Sequence, residues 1–133
     1  MAKSKIICDT DVMIDYWDKS HPRHASAKSE LEKNVELDNV VISAVTKMEL
    51  MIGAVNKSDM KRITKKLSRF NIALINNEIT LLSFDLLQSC RLSHGLSLPD
   101  SLIASTAMVT NLERFTFNIK DFRYIPNLKL YRS

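Results

Sequence analysis

Two short apolar runs, Ile6-Ile7-Cys8 and Val40-Val41-Ile42, each give way at once to a stretch whose apolar residues recur three and four apart. A run too short for a buried helix, and without polar alternation, reads as a strand covered on both faces; the spacing that follows is that of an amphipathic helix. The first helix carries Val12, Met13, Tyr16 and Trp17, breaks at His21-Pro22, and is followed by another over 24–33. Ser43 closes the second run and caps a helix carrying Val45, Met48, Leu50, Met51 and Ile52, which fades near Gly53. Ser58 is expected to cap the next, with Met60, Ile63, Leu67 and Phe70 in one stripe.

A third strand is expected over 72–75 and a long helix over 78–92, ended by His94-Gly95. Ser97-Leu98-Pro99-Asp100 opens another, since proline suits a first turn. The small residues Ala104 and Ala107 let that helix approach a sheet closely. Phe115-Thr116-Phe117 and Lys129-Leu130-Tyr131 read as two final strands. Strands alternating with helices define the α/β class: three layers, α/β/α, around a mainly parallel central sheet of four to five strands. Ligands of such sheets gather beyond the carboxyl ends of the strands at a topological switch point, which is where Asp9 falls.

The 133 residues hold only two glycines and three prolines, too few for an all-β fold with many tight turns. No linker or repeat divides them, so 1–133 is expected to form a single domain with one core. A net charge of +4 favours a polyanionic partner, and Lys57, Lys61, Arg62, Lys65, Lys66 and Arg69 concentrate that charge in one segment. Cys8 and Cys90 both sit in apolar patterns without metal-ligand spacing. With no secretory signal or long apolar span, the expected location is cytoplasmic, away from any membrane.

The acids that stand at element boundaries are Asp9 and Asp11 after the first strand, Glu49 two turns into the helix after the second, Asp100 in a first helical turn, and Asp121 after 116–118. Converging carboxylates suit a hard divalent cation, which acidifies water and offsets phosphate charge. Without a cation they repel one another and raise their own pKa values. Each also has an ordinary use: Asp100 complements a helix N-terminus, Asp9 opens a turn, Glu49 faces solvent. Order and context carry the functional reading, not any single acid.

At these positions the chain resembles the PIN-domain family, specifically the VapC-like toxins of type II toxin–antitoxin modules. Ile6-Ile7-Cys8-Asp9-Thr10-Asp11-Val12-Met13-Ile14-Asp15 is similar to the family's apolar strand followed by Asp-Thr-Asn-Val-Leu-Ile-Asp. The segments 42–50 with Gly53-Ala54, 98–104, and 116–122 with Ile125-Pro126 resemble its second, third and fourth motifs, in order. The resemblance implies a magnesium- or manganese-dependent endoribonuclease whose metal pocket is formed by Asp9, Glu49, Asp100 and Asp121. Thr10, Asp11, Ser43, Thr116 and Asn118 would support those acids or position water. It further implies a homodimer, a protein antitoxin and a structured RNA substrate such as transfer RNA. Asp11 stands where asparagine or serine is commoner, and Asn118 where some relatives have aspartate, leaving the fourth acid to Asp121.

Two rival readings remain open at this level. Asp9-Thr10-Asp11 after an apolar strand also resembles the start of a haloacid-dehalogenase-type phosphatase, in which Asp9 would be the nucleophile; Met13 and the lack of a late paired-aspartate motif fit it poorly. The other is an inactive PIN-like nucleic-acid-binding module. Trp17, Tyr16 and Phe122 are aromatic candidates for base stacking, though core packing explains each as well.

Overall fold

The computed structural model describes residues 4–132. Four parallel strands, β1 (Ile6–Cys8), β2 (Val40–Ser43), β3 (Asn71–Ala73) and β4 (Glu113–Phe115), form one sheet in the order β3-β2-β1-β4. The chain winds outward from β1 through β2 to β3, then crosses back so that β4 joins the far side of β1. The switch point therefore lies between β1 and β4, at the carboxyl ends where Asp9 and Thr116 emerge. The segment read as a fifth strand contributes a single parallel bridge, Arg114 to Leu130, beside β4.

Alternation along the strands sends side chains to two cores. Ile6, Cys8, Val40, Ile42 and Phe115 pack on one face with Val12, Met13, Ala27, Leu31, Ile63 and Leu67. These come from α1 (Thr10–Trp17), α2 (His24–Ser29) with the π-helical turn Glu30–Val35 that continues it, and α4 (Lys57–Leu67). Ile7 and Val41 point to the other face, against Val45 of α3 (Ala44–Ile52) and Ile103 and Ala107 of α6 (Leu98–Thr110). Ala104 and Ala107 are fully buried, as a close-packed helix requires. Helix α5 (Asn77–His94) lies outside α6, with Leu86 and Cys90 in a third cluster that includes Phe122 and Ile125. The architecture is the three-layer α/β/α expected.

Local chemistry explains the boundaries. Ser43 accepts from the Thr46 N–H and caps α3, and Ser97 does the same for α6 through Asp100. Gly95 takes the left-handed conformation, φ 72°, that ends α5. Helix α4 starts earlier than Ser58: Asn56 caps it by accepting from Asp59, whose carboxylate accepts in return from the Val55 N–H. That reciprocal pair resembles a capping box and satisfies two otherwise free amides. Strand β4 ends at Phe115 rather than Phe117, because its last ladder bond is Asp9 N–H to Phe115 C=O. Beyond it the backbone turns toward Asp11. Cys8 and Cys90 are buried free thiols. Among the described residues no helix is long and apolar enough to cross a membrane.

Candidate active site

Asp9 is the N-cap of α1, so the end of β1 and the start of a helix fix its backbone together. One carboxylate oxygen accepts from the Thr10 N–H at 2.9 Å; the other lies 2.9 Å from Nη2 of Arg114. The same nitrogen reaches Asp100 Oδ1 at 3.3 Å, so one guanidinium joins two acids from opposite ends of the chain. Asp9 is buried, while the Asp100 side chain is 37% exposed and opens toward solvent. Helix α6 delivers Asp100 from its first turn, on the sheet face shared by Ile7. Parallel pairing of Ile7 with Arg114 roots the arginine on that face too.

Arg114 is fully buried, although it lies in an otherwise apolar strand. Its Cζ stands 3.7 Å from the ring centre of Phe122, and its Nη1 is 3.5 Å from the Asp100 carbonyl. Its Nε, buried as well, has no hydrogen-bond partner. Burying a cation is tolerated where carboxylates face it and a planar group covers it. Nothing in the motif comparison singles out this residue. The signal was a lone arginine between Glu113 and Phe115 in a strand that must be covered on both faces: arginine is rarely buried without a partner.

Glu49 reaches the same end of the sheet from α3. Its Oε1 accepts from the Thr10 hydroxyl at 2.7 Å, and that hydroxyl lies 3.0 Å from Thr46 Oγ1. With its single proton committed to Glu49, Thr10 accepts from Thr46. Ser43 stands 3.4 Å behind Thr46, so Ser43, Thr46, Thr10 and Glu49 form one line of oxygen atoms. Thr46, fully buried, was not among the expected supporting residues.

Asp11 spends its oxygens on the loop after β4. Oδ2 accepts from Phe117 N–H at 3.1 Å, Asn118 Nδ2 at 3.2 Å and the Thr116 hydroxyl at 3.4 Å, while Oδ1 accepts from Val12 N–H. Burial and the nearby Asp9 charge push its pKa up to about 6, against the downward pull of those amides and Arg114. Burial, with Asp9 and Asp11 close by, also raises the Cys8 thiol well above its ordinary range. Asp121, in a short 3-10 turn Ile119–Asp121, lines a cavity of about 370 Å³ with Asp100, Lys120, Phe122, His94 and Tyr124. His94 and Tyr124 stack at 4.0 Å and form one wall of it.

The structure thus joins Asp9 to Asp100 through Arg114, ties Glu49 to the first residue of α1, and sets Asp121 across a cavity from Asp100. Among the described residues, no three Asp, Glu, His or Cys side chains close around a common point. The donor set nevertheless fits a hard divalent cation. Carboxylate oxygens dominate, and among the described residues none donates a hydrogen bond to Asp100 Oδ2, Glu49 Oε2 or either oxygen of Asp121.

Strand order, switch point and cleft define a doubly wound α/β protein with acids gathered where such sheets receive ligands. The chain belongs to the PIN-domain family, whose profile matches residues 6–128. It is similar to Ribonuclease VapC19 of Mycobacterium tuberculosis, 28% identical over 124 residues that span 92% of this chain and 96% of that protein. Among solved structures, it resembles a chain of a toxin–antitoxin complex from Klebsiella pneumoniae at 35% identity and TM-score 0.74, covering 97% of this chain and 100% of that one. VapBC2 from Rickettsia felis, bound to a DNA fragment from its promoter, matches at 26% identity and TM-score 0.72, covering 95% and 96%. The VapC-like resemblance read from the four motifs is the one these relatives carry.

Proposed function

We propose that this protein is a magnesium- or manganese-dependent endoribonuclease, the toxin of a two-protein toxin–antitoxin module. The observation that carries the reading is the meeting of Asp9 and Asp100 on one guanidinium at the switch point of a PIN-domain sheet. Similarity to a ribonuclease and to chains of toxin–antitoxin complexes supports it.

Asp9 and Asp100 would hold the cation, with Glu49 and Asp121 as the further oxygen donors. A bound divalent ion supplies positive charge against the phosphodiester and makes water more acidic. The protein's own part is orientation. Arg114 holds the two aspartates toward each other, and the Thr10 hydroxyl fixes one oxygen of Glu49 and leaves the other free to take a proton from water. Asp11, with Thr116 and Asn118, holds the loop that carries Asp121.

The substrate in this reading is a structured RNA, such as transfer RNA, the working unit is a homodimer in the cytoplasm, and the partner is a cognate antitoxin. Incubating the purified chain with total RNA, with manganese and then with EDTA, tests the reaction. Fragments that appear only with the ion, and not with Asp9→Asn or Asp100→Asn, are the expected result. No metal-dependent product on any RNA would leave a binding module instead. Expression toxicity relieved by a co-expressed neighbouring small protein tests the toxin assignment.

A further inference from the structure

We propose that Arg114 is a resident monocation in the acidic cleft, standing where a second metal ion would otherwise neutralise Asp9 and Asp100, so that the cleft takes one divalent cation. This inference rests on the metal-dependent reading above.

The geometry is that of a built-in group rather than a surface arm that swings in. Arg114 is the middle residue of β4, paired in register with Ile7, and its side chain is fully buried. Backbone bonds to Lys129 and Tyr131 fix the other edge of the same residue. The guanidinium lies under α6 with its end on two carboxylates and its plane near the Phe122 ring, 3.7 Å from Cζ to the ring centre. Phe122 follows Asp121, so the same contact also places the segment that brings the fourth acid.

Charge gives the placement its consequence. A guanidinium remains protonated at any pH a folded protein tolerates, so this positive charge is permanent. It offsets one of the two negative charges that Asp9 and Asp100 bring together. An ion held between the same two oxygens would meet a like charge already within hydrogen-bond distance of both, and on the buried Asp9 side screening by water is weak. Among the described residues, oxygen acceptors without a protein donor remain on Asp100, Glu49 and Asp121. In this proposal they are the donors left to a single cation beside the arginine.

The experiment counts ions on the full chain, stripped with EDTA and titrated with manganese, using the electron paramagnetic resonance signal of the free ion. Thermal unfolding is followed over the same titration. The wild type should hold one manganese per chain. Arg114→Gln, neutral but still able to donate a hydrogen bond, should hold two ions or bind the first at least tenfold more tightly. Stripped of metal, it should unfold at lower temperature than the wild type and regain that loss as manganese is added. Arg114→Lys, which keeps the charge, should stay at one ion. Two ions on the wild type, both lost with Asp9→Asn, overturn the proposal while the metal reading stands; so does Arg114→Gln binding manganese as the wild type does. If neither binds manganese, the metal reading falls and this inference with it. Should Arg114→Gln not fold, the wild-type count still decides.

Discussion

The Thr10 hydroxyl stands 2.7 Å from Glu49 Oε1, joining the first turn of α1 to the second turn of α3 across the mouth of the cleft. The bond links two helices that follow neighbouring strands, and it orients an acid whose own helix would otherwise let it turn to solvent. Replacing Thr10 with valine keeps the shape and removes the donor. We expect a loss of about 1.5–2 kcal/mol in urea unfolding, the low end of the range for a hydrogen bond to a charged group. RNA cleavage should fall at least tenfold, and Thr10→Ser should restore most of both.

Asp9 and Asp100 share one partner but not one environment. Asp9 is buried at 2.9 Å from Arg114, whereas Asp100 lies at 3.3 Å and is substantially exposed. Asp9→Asn should therefore destabilise the metal-free protein by about 3 kcal/mol, the low end for breaking a buried pair. Asp100→Asn should cost less than about 1 kcal/mol, as water screens it. Both should abolish cleavage while circular dichroism remains that of the folded chain. Equal stability losses in urea would contradict the asymmetry.

Tyr131 donates to Glu30 at 2.6 Å, and burial together with that carboxylate pushes the phenol up to about 12. The folded chain therefore holds this proton more tightly than the unfolded chain, whose tyrosines titrate near 10. The sign follows from linkage: the contribution is fully present below about pH 10 and is lost as pH climbs toward 12. Tyr131→Phe should flatten the fall in unfolding free energy over that window, measured against the parent protein at each pH.

Of the basic residues concentrated over 57–69, Lys66 and Arg69 reach a groove that two other lysines also line. Lys19, Lys28, Lys66 and Arg69 surround a groove that also holds Tyr16 and Trp17, with Lys66 5.4 Å from the Trp17 ring centre. If RNA runs along it, Lys28→Gln or Lys66→Gln should weaken binding on every sequence tested and reduce the salt slope by about 1 each. A salt dependence unchanged by both substitutions would leave the groove without a role in RNA binding.

Much of the fold was legible because burial on both sheet faces forces unbroken apolar runs, as in Ile6-Ile7-Cys8 and Val40-Val41-Ile42. Helix starts could be read where a single capping residue was available, as at Ser43 and Ser97. Near Asn56 and Ser58 two competed, and the reciprocal bond to Asp59 favoured the earlier one. The end of β4 was misplaced because Phe115-Thr116-Phe117 alternates like a strand, whereas the Phe117 N–H bonds to the Asp11 carboxylate instead of a neighbouring strand. Positions of the acids were readable from motif order, but their mutual geometry was not. That depends on Arg114 and Thr46, whose roles appear only when β1, α3, α6 and β4 are assembled.

Asp9 and Arg114 are 105 residues apart in sequence yet form one ion pair. The cleft thus cannot be completed until β4 has been made. A nascent chain that has not yet released β4 from the ribosome presents an unpartnered aspartate and no assembled centre.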